Sequence, residues 1–459
     1  MHRSVLFLSA AFFALAAVAH AEPRLIAVAS LDAHGHDLSA ETAPPLENGV
    51  AGNILGGMGS AFDYAGGDTF IAVPDRGPNA NKYNPAVDDT SSYIPRFHTL
   101  TAKLVPSNGA LPFTLEPRLI ATTLLWSQDA LVYGDGKAAN LPDGTPKLNT
   151  VNRFYFTGRS DGFDPAKSST HPLDARLDPE GVRLSIDGKS LFVSDEYGPH
   201  LYQFDRATGR RLRALTLPAN LDVASLSPQG EKEISGNTQG REANKGMEGL
   251  AITPDGSHLI GFMQTALLQD GGAKGGFTRV VTVDIVTGAS HEYAYPLTNV
   301  GKDGKTKFTG VSEVLAINDH EVLVDERDGK GLGDNSPAVF KRLYRVDLSK
   351  AEPVDTLAGA DAIASKAVTK TLAFDLVDIL TKGGVDAASI PAKIEGIAFG
   401  PDVTLGGKTL HTLWVVNDND FLPEVDGRDN PNRIFVIGFD DADLPGQSRS
   451  GAPSGKNPR

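Results

Sequence analysis

Residues 246–264 read GMEGLAITPDGSHLIGFMQ: an acidic residue, an apolar run, a Pro-Asp-Gly turn, a second apolar run and a polar end. Two short apolar runs joined by a tight turn spell a β-hairpin. The same order recurs in DPEGVRLSIDGKSLFVSDEYGPHLYQFDRATG (178–209), GVSEVLAINDHEVLVDER (310–327) and KIEGIAFGPDVTLGGKTLHTLWVVNDND (393–420). Their leading glutamates, Glu180, Glu248, Glu313 and Glu395, stand 68, 65 and 82 residues apart, a periodicity that marks a repeat architecture. A looser copy, GGMGSAFDYAGGDTFIAVPDRGPN (56–79), carries Gly59 at the glutamate position. The 121 residues from Gly59 to Glu180 leave room for one more, degenerate copy around residues 119–156.

Six units of three or four short strands, with almost no amphipathic helix, give an all-β chain. Radial repetition that leaves no long exposed edge is a β-propeller, and the count predicts six blades. Residues 371–380 are the one expected helix. The residues before the repeats divide off cleanly. Arg3, an apolar run over residues 5–18 and Ala19-His20-Ala21 have the pattern of a cleaved signal peptide covering residues 1–21. The propeller domain is then expected over residues 22–440, and the polar, Gly/Pro/Ser-rich residues 441–459 are expected as a disordered tail.

The chain has 459 residues and a net charge of −14. Losing residues 1–21 removes one basic side chain, Arg3, and leaves −15, the wrong sign for a nucleic-acid or anionic-lipid binder. No apolar run reaches the roughly 20 residues of a membrane span. There is no Cys, so disulfides, thiolate nucleophiles and Cys-ligated metals are excluded. The expected setting is the periplasm or the extracellular medium, and the expected state a monomer.

In a hairpin the start of the first strand and the end of the second lie side by side. Glu180 therefore belongs beside Asp195 and Glu196, Glu313 beside Asp325 and Glu326, and Glu395 beside Asp418 and Asp420. Gln264 falls opposite Glu248, and Asp75 with Arg76 opposite Gly59. If the blades are radial, these ends share one face and carboxylates from at least four blades converge. Like charges at that spacing raise one another's pKa or recruit cations. Oxygen donors of this kind suit calcium or a similar hard divalent ion, with Glu180, Asp195, Glu196, Glu248, Glu313, Asp325, Glu395 and Asp418 as candidate ligands. The competing reading of each glutamate is a cap on backbone N–H groups of the next blade.

Arg76, Arg241, Lys245 and Arg327 sit near the same ends and suit a small anionic ester, held while the cation neutralises its charge. Their alternative role is as counterions to the acidic ring. No G-x-S-x-G is present, and Gly406-Gly407-Lys408-Thr409 reads as a hairpin turn rather than a phosphate loop.

The stretches PEG (179–181) with LFVSDEYG (191–198), GMEGLAITPDG (246–256), IEGIAFGPD (394–402) and VPDRGPN (73–79) resemble the phytase-like propeller family, described as having esterase-like activity of phytase. The resemblance spans most of the chain. It implies a propeller of about six blades, export, and calcium-assisted hydrolysis of an ester or phosphoester. In β-propeller phytases a PEG opening and a following acidic pair bind calcium near a phosphate site; here they correspond to Glu180, Asp195 and Glu196. The chain departs from those enzymes in lacking an obvious acidic N-terminal calcium motif and their full set of phosphate-contacting lysines. The favoured expectation is a calcium-dependent phosphate-ester hydrolase with Glu180, Glu248 and Arg76 at the reacting centre. A lactone or carboxylic ester is the alternative substrate, and a non-catalytic ligand- or partner-binding propeller the alternative class.

Overall fold

The computed structural model describes residues 22–137 and 140–448. The expected signal peptide lies outside the described residues, as does the tail from residue 449. No helix among the described residues is long and apolar enough to cross a membrane.

Strand β1 (Arg24–Leu31) opens the fold. The first blade follows as β2 (Ala61–Gly66), β3 (Thr69–Val73), β4 (Arg96–Pro106) and β5 (Phe113–Leu124). A ribbon of β6 (Trp126–Ser127) and β7 (Phe154–Tyr155) precedes the second blade, β8 (Pro179–Leu184), β9 (Ser190–Asp195), β10 (His200–Asp205) and β11 (Arg211–Leu215). The third comprises β12 (Met247–Ile252), β13 (His258–Met263), β14 (Phe277–Asp284) and β15 (Ser290–Pro296). The fourth comprises β16 (Gly310–Ala316), β17 (Glu321–Arg327), β18 (Lys341–Asp347) and β19 (Lys370–Asp375). In the last, β20 (Ile394–Phe399) pairs with β22 (Lys408–Asn417), which also carries the short β21 (Val403–Leu405). After the ribbon β23 (Glu424–Val425) and β24 (Arg428–Asp429), strand β25 (Asn432–Phe439) pairs with β22 on one side and β1 on the other. The first strand among the described residues thus completes the last blade.

The propeller has five blades, not six. The inner strands β2, β8, β12, β16 and β20 each touch the next, and β20 touches β2, so the ring closes without a sixth. The degenerate copy expected around residues 119–156 finishes β5 and then supplies only the two-residue ribbon. Pro and Gly recur too often between residues 134 and 146 for an apolar alternation to continue, and a strand cannot propagate through them. Trp126 instead docks the ribbon on the second blade, its indole N–H donating to Thr208 O at 2.8 Å.

The core is a set of blade interfaces. Phe62, Phe70 and Leu100 of the first blade pack against Trp414, Val416 and Val436 of the last, with Phe70 and Trp414 ring centres 4.2 Å apart. Leu323, Leu343 and Phe374 meet Ile397, Leu413 and Phe435 between the fourth and last blades. The helix expected over residues 371–380 begins later: Lys370–Asp375 is β19, and α1 (Gly230–Ser235) and α2 (Ala360–Ala364) are followed by α3 (Leu376–Lys382), capped by the Asp375 carboxylate accepting from Asp378 N. The two glycines of the near phosphate loop, Gly406 (φ 60°) and Gly407 (φ 78°), make the hairpin turn between β21 and β22. Packing continues past the expected boundary at residue 440, since Leu444 is buried and Ser448 N donates to Ile317 O.

Candidate metal centre

Three inner strands, β8, β12 and β20, carry Glu-Gly at their second and third positions. In each the ladder slips at that pair: between Pro179 and Gly181, between Met247 and Gly249, and between Ile394 and Ile397. A bulge re-aims the extra residue, here the glutamate. The glycine behind it has a separate reason. A Cβ on Gly181 would stand 2.7 Å from Leu250 Cβ, and one on Gly396 would stand 2.6 Å from Val416 Cγ2, so neighbouring chain comes too close for any side chain.

The fourth blade bulges at the same place, but Ser312 occupies it and Glu313 takes the glycine position. Glu313 consequently points elsewhere. Its Oε1 accepts from Leu250 N (2.9 Å) and Val314 N (3.0 Å), and its Oε2 lies 3.2 Å from Arg183 Nη2. Burial pushes its carboxyl up to about 8 despite that arginine.

Carboxylate oxygens of Asp75, Asp178 and Glu180 lie within 4.8 Å of one another, and so do those of Glu180, Glu196 and Glu248. Glu180 belongs to both groups. Asp75 follows β3, Asp178 precedes β8, Glu196 follows β9 and Glu248 lies in β12, so three blades contribute. Asp178 accepts from Arg76 Nη1 (2.7 Å) and Arg76 N (2.9 Å), Asp75 from Gly77 N (2.8 Å), and Glu248 from Gln264 Nε2 (2.6 Å). Glu196 Oε1 is buried without a partner. Burial, reinforced by Glu248 and Asp178, raises the Glu180 carboxyl well above its usual range. Burial with Asp418 and Asp178 does the same to Asp75, and burial with Glu196 and Glu395 does it to Glu248. Burial and Asp178 push Glu196 up to about 7.

The donor set fits a hard cation. Oxygens that share a calcium at 2.3–2.6 Å are at most roughly 5 Å apart, and the oxygens of each trio lie inside that limit. The orphaned Glu196 oxygen supplies the second sign.

Glu395 and Asp418, from the last blade, reach the same electrostatic neighbourhood but are already paired. Arg327 Nη2 donates to Glu395, and Lys393 Nζ donates to Asp418 (2.8 Å) and Asp420 (2.5 Å). Burial, moderated by Lys393, pushes Asp418 up to about 7. Asp195 is committed to its own loop, accepting from Asp178 N, Tyr197 N, Gly198 N and His200 Nδ1. Asp325 faces Glu313 across the hairpin, buried and with both oxygens unpartnered, and lies outside both oxygen groups. Of the candidate cations, Lys245 donates to Gln264 Oε1 at 2.6 Å, and its charge lowers the carboxyl of both Glu196 and Glu248. Arg241 is 1% exposed and spent on Tyr197 O and Glu233. Sequence reasoning did not single out Asp178 or Lys393. The signal was there: each immediately precedes a repeat opening, in DPEG and KIEG.

The profile of the phytase-like family, described as esterase-like activity of phytase, matches residues 53–421. An uncharacterized secreted protein of Arthroderma benhamiae is 30% identical over 284 residues, which is 53% of this chain and 51% of that protein. The chain thus spans about half the length of this curated relative. Among solved structures, the major Malassezia sympodialis allergen Mala s 1 aligns with a TM-score of 0.35 and 12% identity over 86% of this chain and 80% of that one. A periplasmic gluconolactonase of Pseudomonas aeruginosa aligns with a TM-score of 0.33 and 13% identity over 83% and 89%.

Proposed function

The chain belongs to the phytase-like family, and on that premise we propose that it is an exported, calcium-dependent hydrolase of phosphate esters, acting as a monomer in the periplasm or the medium. The observation that carries the reading is Glu180, shared between two triads of carboxylate oxygens and reached by no donor or cation among the described residues. Asp75, Asp178, Glu180, Glu196 and Glu248 would hold the metal. A bound hard cation polarises an ester oxygen and lowers the pKa of a coordinated water.

The rest of the work falls to the chain's own side chains. Arg76 fixes Asp178 through two hydrogen bonds and so sets the orientation of one wall. Gln264, held by Lys245, orients Glu248. Arg76, Arg327 and Lys393 are paired with carboxylates and Lys245 with Gln264, so the local positive charge that a phosphate ester needs to approach a chain of net charge −14 would come from these side chains together with the bound cation. Glu180 and Glu248 are the residues assigned to the reacting centre.

The test is an activity screen of metal-replete and chelated protein against phosphomonoesters, phosphodiesters and lactones, with Glu180→Gln alongside. Chelator-sensitive phosphoester turnover that disappears in E180Q supports the reading. Preferred lactone turnover moves the substrate to a carboxylic ester, and turnover retained in E180Q removes Glu180 from the centre. No turnover with any metal leaves a binding propeller.

A further inference from the structure

The inner strands begin at the carboxylate cluster and run to the opposite face of the ring. A cavity of about 270 Å3 lies there, among residues from the far parts of β2, β8, β12, β16 and β20. Glu180 stands at the cluster and Leu184 at the cavity, both on β8, so about 13 Å of strand separates the two places. The channel between them is blocked. Arg183 of the second blade donates to Phe62 O of the first (2.8 Å) and to Val314 O of the fourth (2.7 Å), while Glu313 of the fourth accepts from Leu250 N of the third (2.9 Å). Side chains that reach across non-adjacent blades fill the middle of the ring, which leaves the cavity as a blind pocket.

Tyr64, Leu184, Ile186, Ile252, Leu315 and Phe399 give it apolar and aromatic walls, and Ile186 remains 53% exposed. The charged side chains and the one histidine of the wall are Asp63, Arg183, Asp402 and His411. Three of them are spent. Arg183 is 2% exposed, with its Nη atoms on backbone carbonyls and Glu313. His411 lies between two carboxylates, its Nδ1 2.9 Å from Asp402 Oδ1 and its Nε2 2.8 Å from Asp441 Oδ1. Asp63 is different. Its Oδ2 accepts from Leu184 N at 2.8 Å, and no side-chain donor among the described residues reaches it. Burial raises its carboxyl although the charges of Arg183 and Arg206 lower it, and Arg206 gives its own Nη1 to Gly188 O. The rim is acidic too: Asp187 follows Ile186, Asp255 follows Pro254, and Asp319 accepts from Asp255 N at 3.3 Å, against Lys189 and His258.

A half-buried carboxylate without an ion-pair partner, set among apolar and aromatic side chains, is matched by one ligand chemistry. An ammonium group pairs with the carboxylate and is attracted to aromatic faces, while its carbon body fills the apolar walls. We propose that this pocket binds a small organic ammonium ion, an amine with an apolar body, on the face opposite the carboxylate cluster. The site stands apart from the hydrolase reading and survives its failure.

The experiment is calorimetric titration of phenethylamine, phenethyl alcohol and 3-phenylpropionate into the full chain near neutral pH. The amine is expected to bind roughly tenfold or more tightly than the alcohol, the scale of a charge-assisted hydrogen bond, and the acid not at all. In Asp63→Asn the amine should fall to the affinity of the alcohol, with the alcohol unchanged. Ile186→Lys, a change at an exposed wall position that keeps the fold even if D63N does not, should weaken the amine several-fold. Glu180→Gln, on the other face, should leave it unaltered. No binding of the amine, equal affinities for amine and alcohol, or an amine affinity that I186K or folded D63N leaves unchanged overturns the inference. Binding lost in E180Q instead places the amine at the carboxylate cluster and overturns it as well.

Discussion

Arg76 is both a neighbour of the carboxylate cluster and a part of it, because its guanidinium and backbone N–H both hold Asp178. Replacing it by Ala should weaken a phosphate ester by roughly 1.5–3 kcal/mol, the scale of a charged hydrogen bond, and leave a neutral lactone nearly unchanged at saturating calcium. The same change frees Asp178 from its counterion, so calcium affinity should rise. Steady-state kinetics on both substrates with a calcium titration separates the two effects; equal losses on phosphate ester and lactone make Arg76 purely structural. Glu313 supplies the contrast. Its charge is already disfavoured at neutral pH by burial, and it lies beside Arg183 rather than the cluster. Glu313→Gln should therefore leave calcium affinity within about twofold in a binding titration, well under the 1.4 kcal/mol that a tenfold change represents.

At the scale of the hairpin, the bulge decides which glutamates converge. The Glu-Gly pairs of β8, β12 and β20 were legible as a repeat, and so was the pairing of strand starts with strand ends. The fourth copy was misleading, because GVSE places its glutamate one residue beyond the bulge, and only the register shows that Ser312 holds the equivalent position. Asp195, a candidate ligand on the same reasoning, is diverted in a similar way. The register sets it opposite Pro179, next to Glu180, yet its carboxylate accepts from the backbone N–H groups of Asp178, Tyr197 and Gly198. The glycine half of the motif has its own prediction. In Gly396→Ala the new methyl would sit 2.6 Å from Val416 Cγ2 and 2.9 Å from Phe62 Cβ, so overpacking should cost about 1–3 kcal/mol. Chemical denaturation measures that loss, and an unchanged midpoint would mean that the blades can separate there at no cost.

For the whole molecule, all-β radial repetition and the shared face of the acidic ends followed from composition and spacing, whereas blade number did not. The long excursions at residues 74–95 and 128–178 stretch the interval between the first two glutamate positions, and chain length there measures loop rather than blade. The ring also gathers an electrostatic load. Folded-state values near 7 for Glu196 and Asp418 exceed their ordinary 4.5 and 3.8, so what these groups contribute to stability is complete below those ordinary values and is lost as pH rises through about 7. Metal-free protein should accordingly lose stability between pH 5 and 8, and a bound cation should restore it most at the upper end.

That coupling makes the melting temperature, followed by calorimetry at pH 8 as calcium replaces chelator, the most direct measure of whether the carboxylates around Glu180 form a cation site. The account predicts a midpoint that climbs with the logarithm of calcium concentration once the site saturates, a smaller climb at pH 5.5, and none in E180Q. A midpoint indifferent to calcium at both pH values, or a climb of equal size in E180Q, would contradict it.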